Sequence, residues 1–392
     1  MLARSLMLSL LSVRQKQLFP KSGKKFWLSL LFWMLLVAPA QAALELRVAI
    51  EENANQVKIG SSTKAIVRDA TGKPVGEIAP LNAFVAETDS GRVKMNRWLS
   101  NALWVEPTNK GFVWIGDKWY RGRTLVVPTN QGLTAVNYVD LERYLYSVLG
   151  GEVYTNWPQE ALKAQAVAAR TYALYQRQTR GNRLFDVGDT IAWQVYRGVE
   201  TESPSFYNAV DSTAGQVLTY RGRLILAAYH AASGGHTENV ENVWGVQALP
   251  YLRAVPDFDQ GTPGYQWTRS FTQPQLSSRI SGVGQVQSLT PERISPYGRI
   301  MTVKVVGDKG SRIMSGAELQ RIFELRSTWF TVTPEGNNKS LPISFRFDGR
   351  GFGHGIGLSQ WGAYGMARQG ANYQQILNHY YRGASLARIR VR

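Results

Sequence analysis

Hydrophobic and polar positions alternate where the globular part of the chain begins. Apolar residues occupy every second position from Leu44 to Ile50, and the charged Glu45 and Arg47 lie between them. A period of two is typical of a half-buried β-strand. Similar short runs, separated by turn-forming clusters, follow at Gln56–Ile59, Thr63–Val67, Phe112–Ile115, Arg123–Val127 and Leu133–Val139. The pattern predicts that residues 43–140 are mostly β.

A strong helix signal comes next in the chain. Pro158 stands where a first helical residue belongs, and Gly181 follows the last one. The residues between them are good helix formers, among them six alanines from Ala161 to Ala173. Because small side chains let other backbone come close, we expect this helix to be central and buried.

The remaining chain mixes short strands and helices. We expect a polar loop, a helix, a surface loop, a second helix and a last strand at Pro256–Gln266, Ser315–Leu325, Pro334–Pro342, Tyr373–Tyr381 and Leu386–Val391. The fold class predicted is α+β, a strand-rich mixed fold organised around the Ala-rich helix. We divide the chain into a leader (1–42), a β-rich region (43–140), a core with the Ala-rich helix (141–270) and a C-terminal part (271–392).

The leader has the composition of a secretory signal peptide. It carries six basic residues and no acidic one, and its apolar run Phe26–Ala38 is shorter than the ~20 residues that span a bilayer. Ala40-Gln41-Ala42 gives the small-x-small cleavage pattern. We expect export to the periplasm, the cell wall or the outside. The alternative is an uncleaved membrane anchor, the only case in which we expect membrane attachment.

Composition narrows the function classes. The chain has 45 Lys+Arg against 28 Asp+Glu, and removing the six leader cations from the formal +17 leaves +11. For an exported protein this charge favours anionic cell-envelope polymers as partners and disfavours nucleic acid, although it also serves solubility. The absence of Cys excludes disulfides, thiol nucleophiles, Fe–S clusters and Cys-based zinc sites.

A carboxylate just before the Ala-rich helix and a cation within that helix are unusual features of the sequence. Gly150-Gly151-Glu152 predicts a carboxylate on a flexible turn just before the helix, and Arg170 falls within the helix. A charge in a buried helix is costly unless it is paired or faces a cleft. The spacing fits two interpretations equally, a shared functional site and a structural Glu–Arg pair.

Glycine alternates with larger residues from Gly349 to Gly357. In an extended chain, one face would be bare backbone and the other would show side chains such as His354. Close approach of a ligand and simple packing both explain this pattern. A helix is expected to start near Gln360, and a hydrolase pair of His354 with Ser359 lacks the G-x-S-x-G elbow.

Two histidines, His230 and His236, lie near two glutamates in Tyr229–Gly245. Their spacing fits no standard zinc pattern, so a polar turn lining a groove is favoured over a metal site. We expect no cofactor.

Seven motifs in order resemble the SpoIID/LytB family (stage II sporulation protein D and amidase-enhancer relatives) from about residue 45 to the C-terminus. They are Tyr120–Gly122, Leu141–Leu145, Gly151–Val153, Trp157–Tyr172, Ser233–Gly235, Glu241–Gly245 and Gly349–Ala363. The resemblance implies a catalytic Glu152 and a glycan groove containing Arg170, Tyr251 and Arg253. Relatives often read Ser-Glu-Met-Pro where this chain has Gly151–Tyr154, and some bind zinc through Cys and His, which the lack of Cys makes doubtful here.

The resemblance implies a peptidoglycan lytic transglycosylase that cleaves the MurNAc–GlcNAc backbone and leaves 1,6-anhydro-muramyl ends. One Glu suffices because the C6 hydroxyl of the sugar attacks C1, whereas glycosidases that use water generally need two carboxylates. His354 and Gln360 join the expected substrate-binding residues. The alternative is a non-catalytic peptidoglycan-binding amidase enhancer. The expected partners are glycan strands and, as a further candidate, a cell-wall amidase.

Overall fold

The computed structural model describes residues 44–336 and 341–389. The predicted signal peptide, residues 337–340 of the predicted loop Pro334–Pro342, and the end of the last predicted strand lie outside the described residues. The fold is α+β, as the sequence predicted. Within the described ranges, no helix has both the length and the apolar character needed to span a membrane.

The N-terminal region is all β, in agreement with the alternating pattern. Its strands are β1 (Glu45–Ala54), β2 (Gln56–Ser61), β3 (Ala65–Arg68), β4 (Pro74–Ile78), β5 (Asn82–Asp89), β6 (Arg92–Met95), β7 (Trp98–Ser100), β8 (Leu103–Pro107), β9 (Val113–Ile115), β10 (Lys118–Tyr120), β11 (Arg123–Thr129) and β12 (Gly132–Asp140). One sheet has the order β1-β12-β11-β8-β3-β4, and the other has the order β10-β9-β2-β5-β6-β7. Leu46 pairs with Val139 in the antiparallel β1–β12 ladder, and both side chains are buried.

Two helices follow the sheets and form the centre of the fold. Helix α1 (Leu141–Glu152) is capped by Asp140, whose side chain accepts hydrogen bonds from the amides of Glu142 and Arg143. Helix α2 (Gln159–Thr179) is the Ala-rich helix, and its six alanines are at most 1% exposed. The prediction of a central, buried helix is therefore confirmed. Pro158 occupies the N-cap position rather than the first helical position.

Short elements surround α2. Strand β13 (Val187–Gly188) extends the first sheet beside β1, and helix α3 (Pro204–Ser212) packs on α2. After these come β14 (Gln216–Tyr220), β15 (Arg223–Leu224), β16 (Tyr229–His230) and α4 (Val240–Trp244). Strands β14 and β16 pair with two strands from the C-terminal end of the chain. The C-terminal end therefore packs on the same core.

Residues 266–350 form an insert with its own hydrophobic core, which includes Leu276, Val303, Phe323 and Phe347. The insert contains β17 (Gln266–Thr272), α5 (Gln273–Arg279), β18 (Val286–Ile294), β19 (Ile300–Gly307), β20 (Gly310–Ser315), α6 (Gly316–Phe323), β21 (Phe330–Glu335) and β22 (Ser344–Arg350). They make two three-stranded sheets, β17-β22-β21 and β18-β19-β20.

The chain after the insert completes the main core with β23 (Leu358–Ser359), α7 (Gln360–Arg368), α8 (Tyr373–Tyr380) and β24 (Ser385–Arg388). Strand β23 pairs in parallel with β16, and β24 pairs antiparallel with β14. Both helices pack against α2. The helix predicted to start near Gln360 is thus present, and it brings the C-terminal part of the sequence to the end of α1.

Candidate active site

Glu152 is the last residue of helix α1 and is half-buried. The prediction that Gly150 and Gly151 form a flexible turn is wrong, because both lie within the helix. A Cβ at Gly150 would stand 1.9 Å from the carbonyl oxygen of Thr201, and one at Gly151 would stand 2.8 Å from that of Val195. The glycines are needed so that the segment 195–201 can lie against the end of the helix.

Three neutral donors hold the Glu152 carboxylate. Its Oε1 accepts hydrogen bonds from the Val195 amide (3.2 Å) and the Tyr229 hydroxyl (3.4 Å), and its Oε2 accepts one from Gln360 Nε2 (3.5 Å). Burial raises the pKa of Glu152, and these three hydrogen bonds oppose the rise only in part. Among the residues that the structure describes, no cation pairs with this carboxylate. Glu152 is therefore placed to hold a proton at higher pH than a surface glutamate.

The side-chain amide of Gln194 holds the Tyr229 hydroxyl in place. Gln194 Nε2 donates to it (3.0 Å), and Gln194 Oε1 accepts from the Tyr144 hydroxyl (3.2 Å). Burial raises the pKa of Tyr229 well above its ordinary value, so the hydroxyl keeps its proton and can donate to Glu152. Sequence reasoning missed Tyr229 and Gln194 as site residues. No local pattern marks them, because their partners lie 35 to 77 residues away.

Gln360 reaches Glu152 from the first turn of α7. The Ser359 hydroxyl caps this helix by accepting from the Gly362 amide at 3.1 Å, and Gln360 is only 6% exposed. The structure thus brings the predicted Gln360 into contact with the predicted Glu152. The hydrolase pair of Ser359 with His354 is not formed, because both ring nitrogens of His354 bind main-chain groups.

An aromatic patch borders this site. Tyr154, two residues after Glu152, is 63% exposed, and its ring lies 5.9 Å from the rings of both Trp157 and Trp361. Trp157 also contacts Trp361 and Tyr364, with ring centroids 4.8 and 5.4 Å apart. Aromatic residues near the end of α1 and the start of α7 therefore pack together beside Glu152, with Trp157 buried and Tyr154 as the exposed member.

His354 contacts the site through the backbone. Its Nε2 donates to the carbonyl oxygen of Tyr229 (3.0 Å), while its Nδ1 accepts from the Ile356 amide (3.0 Å). Burial lowers the pKa of His354 to about 4, so the ring is neutral. It also packs against the Trp244 ring at 5.1 Å. Both ring nitrogens are used by the main chain, and His354 positions Tyr229.

Arg170 is fully buried and binds Glu142, not Glu152. Its Nε donates to both Glu142 oxygens (2.9 and 3.1 Å), and its Nη1 donates to the Gln216 carbonyl oxygen (3.1 Å). Glu142 lies ten residues before Glu152 in α1, about 15 Å along the helix axis. The expected pairing with Glu152 is therefore wrong, and the buried guanidinium has no exposed surface with which to contact a glycan.

Tyr251 and Arg253 lie outside the hydrogen-bonded group around Glu152. The Tyr251 hydroxyl accepts from the Leu226 amide at 3.4 Å, and its side chain is 8% exposed. Arg253 forms a two-pronged ion pair with Glu241 of α4, the helix whose Trp244 packs on His354. Arg253 is thus connected to the site through α4, whereas the Tyr251 hydroxyl contacts the segment that leads to Tyr229.

The glycine-rich segment is extended only up to Arg350, where β22 ends. Gly351, Gly353, Gly355 and Gly357 all have φ between 73° and 105°, a region open mainly to glycine. A Cβ at Gly357 would stand 2.1 Å from the Ala228 carbonyl oxygen, and one at Gly355 would stand 2.2 Å from the guanidinium of Arg299. The expectation of a two-faced strand is thus corrected for the part after Arg350, where the alternation serves tight packing against residues 228–234 and Arg299.

The two histidines weighed as metal ligands do not fit a metal site. His230 uses both ring nitrogens, toward the Ile356 carbonyl oxygen (3.2 Å) and the Ser233 hydroxyl (2.9 Å). His236 stacks on Tyr297, and its Nδ1 lies 2.7 Å from the Thr237 carbonyl oxygen. Over residues 44–336 and 341–389, no group of three or more His, Cys, Asp or Glu side chains could hold a metal ion.

Comparison with known proteins agrees with this layout. The family model described as Stage II sporulation protein matches residues 129–220, which include α1, Glu152 and α2. A model described as Domain of unknown function (DUF8618) matches residues 256–357, which contain the insert.

Relatives extend the similarity over most of the chain. An uncharacterized protein of Brachyspira hyodysenteriae is 35% identical over 71% of this chain and 75% of its own length. Stage II sporulation protein D of Bacillus subtilis is 32% identical over 64% of this chain and 76% of its own length. The amidase enhancer of Bacillus subtilis is 31% identical over 62% of this chain and 40% of its own length. The chain therefore belongs to the stage II sporulation protein D (SpoIID) family.

Proposed function

We propose that the protein is an exported peptidoglycan lytic transglycosylase in which Glu152 is the acid and base. The observation that carries the proposal is the state of Glu152, a half-buried carboxyl group whose pKa is raised by burial and whose partners are all neutral. Such a group is suited to give up and regain a proton near neutral pH. Family membership supports a role at the cell wall.

The reaction needs one such carboxyl group. Protonated Glu152 donates its proton to the glycosidic oxygen as the bond from that oxygen to C1 of the muramyl sugar breaks. The ionised carboxylate then takes the proton of the C6 hydroxyl, whose oxygen forms the new bond to C1 and closes the 1,6-anhydro ring. Atoms and charge balance without water, and the carboxyl group ends in its starting state. A hydrolytic enzyme would need a second carboxylate to activate water.

The hydrogen bonds of Glu152 indicate which oxygen carries the proton. Oε1 accepts from Val195 and Tyr229, whereas Oε2 has only the long contact from Gln360. Because an oxygen that accepts two hydrogen bonds is better suited to stay unprotonated, the proton belongs on Oε2. The exposed Tyr154 ring and the half-buried Trp361 ring near the carboxylate offer faces on which a sugar can stack, and the buried Trp157 supports them from below.

A second candidate function is supported by the similarity to the amidase enhancer. In this case the protein binds peptidoglycan and stimulates a cell-wall amidase without cleaving the glycan. The basic charge and the aromatic patch suit both functions. Only the enzyme needs an ionisable group at residue 152. Either function requires export. If the leader is removed as proposed, the N-terminal sequence of the protein from the envelope fraction should begin near Ala43.

Mass spectrometry of the products from purified glycan strands separates the two functions. The wild type is expected to release fragments with 1,6-anhydro ends, and Glu152→Gln to release none, because general acid–base catalysis contributes ~10²–10⁴-fold. Glu160→Gln is the control, since Glu160 pairs with Lys163 and accepts from the Tyr373 amide at the start of α8. Reducing ends in place of anhydro ends, or equal release by Glu152→Gln, would overturn the transglycosylase.

A further inference from the structure

The insert carries a cavity of about 460 Å³ on the sheet β17-β22-β21. Strand β22 is central, and the register places Asp348 between Thr268 of β17 and Thr331 of β21. Side chains alternate between the two faces of a sheet, so Asp348 and Arg350 lie opposite the buried Phe347. The cavity is therefore on the face turned away from the core of the insert, and its volume is in the range of small-ligand sites.

The lining combines ring faces with planar polar groups. Trp329 is half-buried, and the Arg350 guanidinium lies 5.7 Å from its ring centre. Asp348 is held in place by the Thr268 hydroxyl (2.8 Å) and by Arg346 Nε (2.8 Å). A tryptophan beside fixed carboxylate and guanidinium groups is a combination suited to a sugar, whose ring stacks while its hydroxyl groups form hydrogen bonds.

One cation in this lining has no carboxylate partner in the part of the chain that the structure describes. Arg350 is exposed, and no carboxylate lies within ion-pair distance of it. Trp267 pairs with Gly349 and shares the core face of the sheet with Phe347, so its buried indole lies beneath the cavity floor and does not contact a ligand. A Cβ at Gly349 would stand 2.2 Å from the Trp267 ring, so this packing requires glycine. The cation without a carboxylate partner calls for an anionic, oxygen-rich ligand.

We propose that this cavity binds one sugar unit of the glycan strand, with a carboxylate of the strand facing Arg350. The inference rests on the proposed function, because it takes the strand that Glu152 cleaves as the ligand. The chain connects this cavity directly to the site of Glu152, since β22 ends at Arg350 and the segment after it leads to Gln360. Ten residues span at most about 35 Å, a distance that a strand of several sugars can cover.

Binding of purified glycan strands without stem peptides tests the proposal in the full chain. Trp329→Ala and Arg350→Ala are each expected to weaken the affinity for long strands about tenfold, the factor that loss of one stacking contact or one charged contact gives. Turnover of a tetrasaccharide is expected to stay within about twofold of the wild type. Arg269→Ala is the matched control, because Arg269 is exposed on the same sheet but does not line the cavity.

The outcomes separate this site from the catalytic proposal. If both variants bind long strands as the wild type does, the cavity is not a glycan site, whatever products the wild type releases. If the wild type releases no anhydro ends but both variants bind less strongly, the cavity stands and the transglycosylase fails. If the variants lose affinity only for strands that carry stem peptides, the ligand is a peptide and the proposal is overturned. If Trp329→Ala does not fold, the affinity of Arg350→Ala decides the test, because Arg350 is exposed and its replacement should not affect folding.

Discussion

Replacing Arg170 with Met is expected to destabilise the protein and leave its chemistry intact. Arg170 is fully buried, and its partner Glu142 is 23% exposed. Arg170 Nε donates to both Glu142 oxygens (2.9 and 3.1 Å), and the other guanidinium nitrogens donate to the carbonyl oxygens of Gln216 and Val210. Met fills a similar volume but leaves the Glu142 carboxylate without its cation. Breaking a fully buried pair from one side costs about 3–5 kcal/mol, and because water reaches part of Glu142 we expect the lower end, about 3 kcal/mol. At roughly 2 °C per kcal/mol for a protein of this size, the melting temperature should fall by about 6 °C.

Denaturant unfolding and thermal melting measure this loss, and Arg177→Met is the matched control. Arg177 lies on the same helix, but it is 37% exposed and stands 3.7 Å from Asp186. Asp186 is buried but keeps its closer partner Arg47 at 2.7 Å, so losing the longer contact from the half-exposed Arg177 is expected to cost at most about 1 kcal/mol. At a temperature where Arg170→Met is fully folded, its rate of glycan cleavage and its pH profile should match the wild type, because Glu152 lies about 15 Å from Glu142 along α1.

One result would refute this reasoning. If Arg170→Met melts at the same temperature as the wild type but no longer binds glycan strands, the guanidinium faces the ligand as the family resemblance implied. The buried ion pair would then be absent from the working protein.

The other predictions concern Glu152, its donor Tyr229 and metal. Tyr229→Phe removes a hydrogen bond that lowers the pKa of Glu152, so the pH–rate profile should shift to higher pH, and an unchanged profile would contradict the assigned contact. Glu152→Gln should be more stable than the wild type at neutral pH. The folded wild type binds the Glu152 proton more tightly than the unfolded chain does, so its stability falls as pH rises above 4.5, the ordinary pKa of a glutamate side chain. The difference in the free energy of unfolding between Glu152→Gln and the wild type should disappear toward pH 4, and urea titrations at several pH values test this. Chelation with EDTA should leave product release unchanged, whereas zinc lost together with activity in His236→Ala would oppose this.

The sequence predicts those parts of the fold that depend on local patterns. The alternation from Leu44 to Ile50 corresponds to β1, and the alanines after Pro158 correspond to the buried α2. These elements follow from period and propensity within one segment. In the glycine-rich segment the period of two does not predict the structure, because it arises from four glycines with positive φ and not from a strand. Composition alone does not distinguish a bare strand face from a series of tight contacts.

The site is predictable only in part because its contacts are long-range. Glu152 and Gln360 are 208 residues apart in sequence, yet the family resemblance led to both. The resemblance also assigned Arg170 to the groove, and no sequence pattern showed that Glu142 would reach it from one end of α1. Gly150 and Gly151 suggest a turn by propensity, but contact with Thr201 and Val195 overrides propensity and keeps them helical.

The attachment of the insert has a consequence for the lengths of the products. The insert leaves and rejoins the main core at neighbouring points, since the Gly351 amide donates to the Tyr265 carbonyl oxygen at 2.9 Å. Two adjacent strands alone would act as a hinge. Arg299 adds a third attachment, because its buried guanidinium donates to the carbonyl oxygens of Gly353 and Ser233. This third attachment opposes rotation of the insert about the two adjacent strands. A glycan strand bound in the cavity of the insert would then reach Glu152 over a nearly constant distance, and digestion would favour fragments of one length over a random ladder.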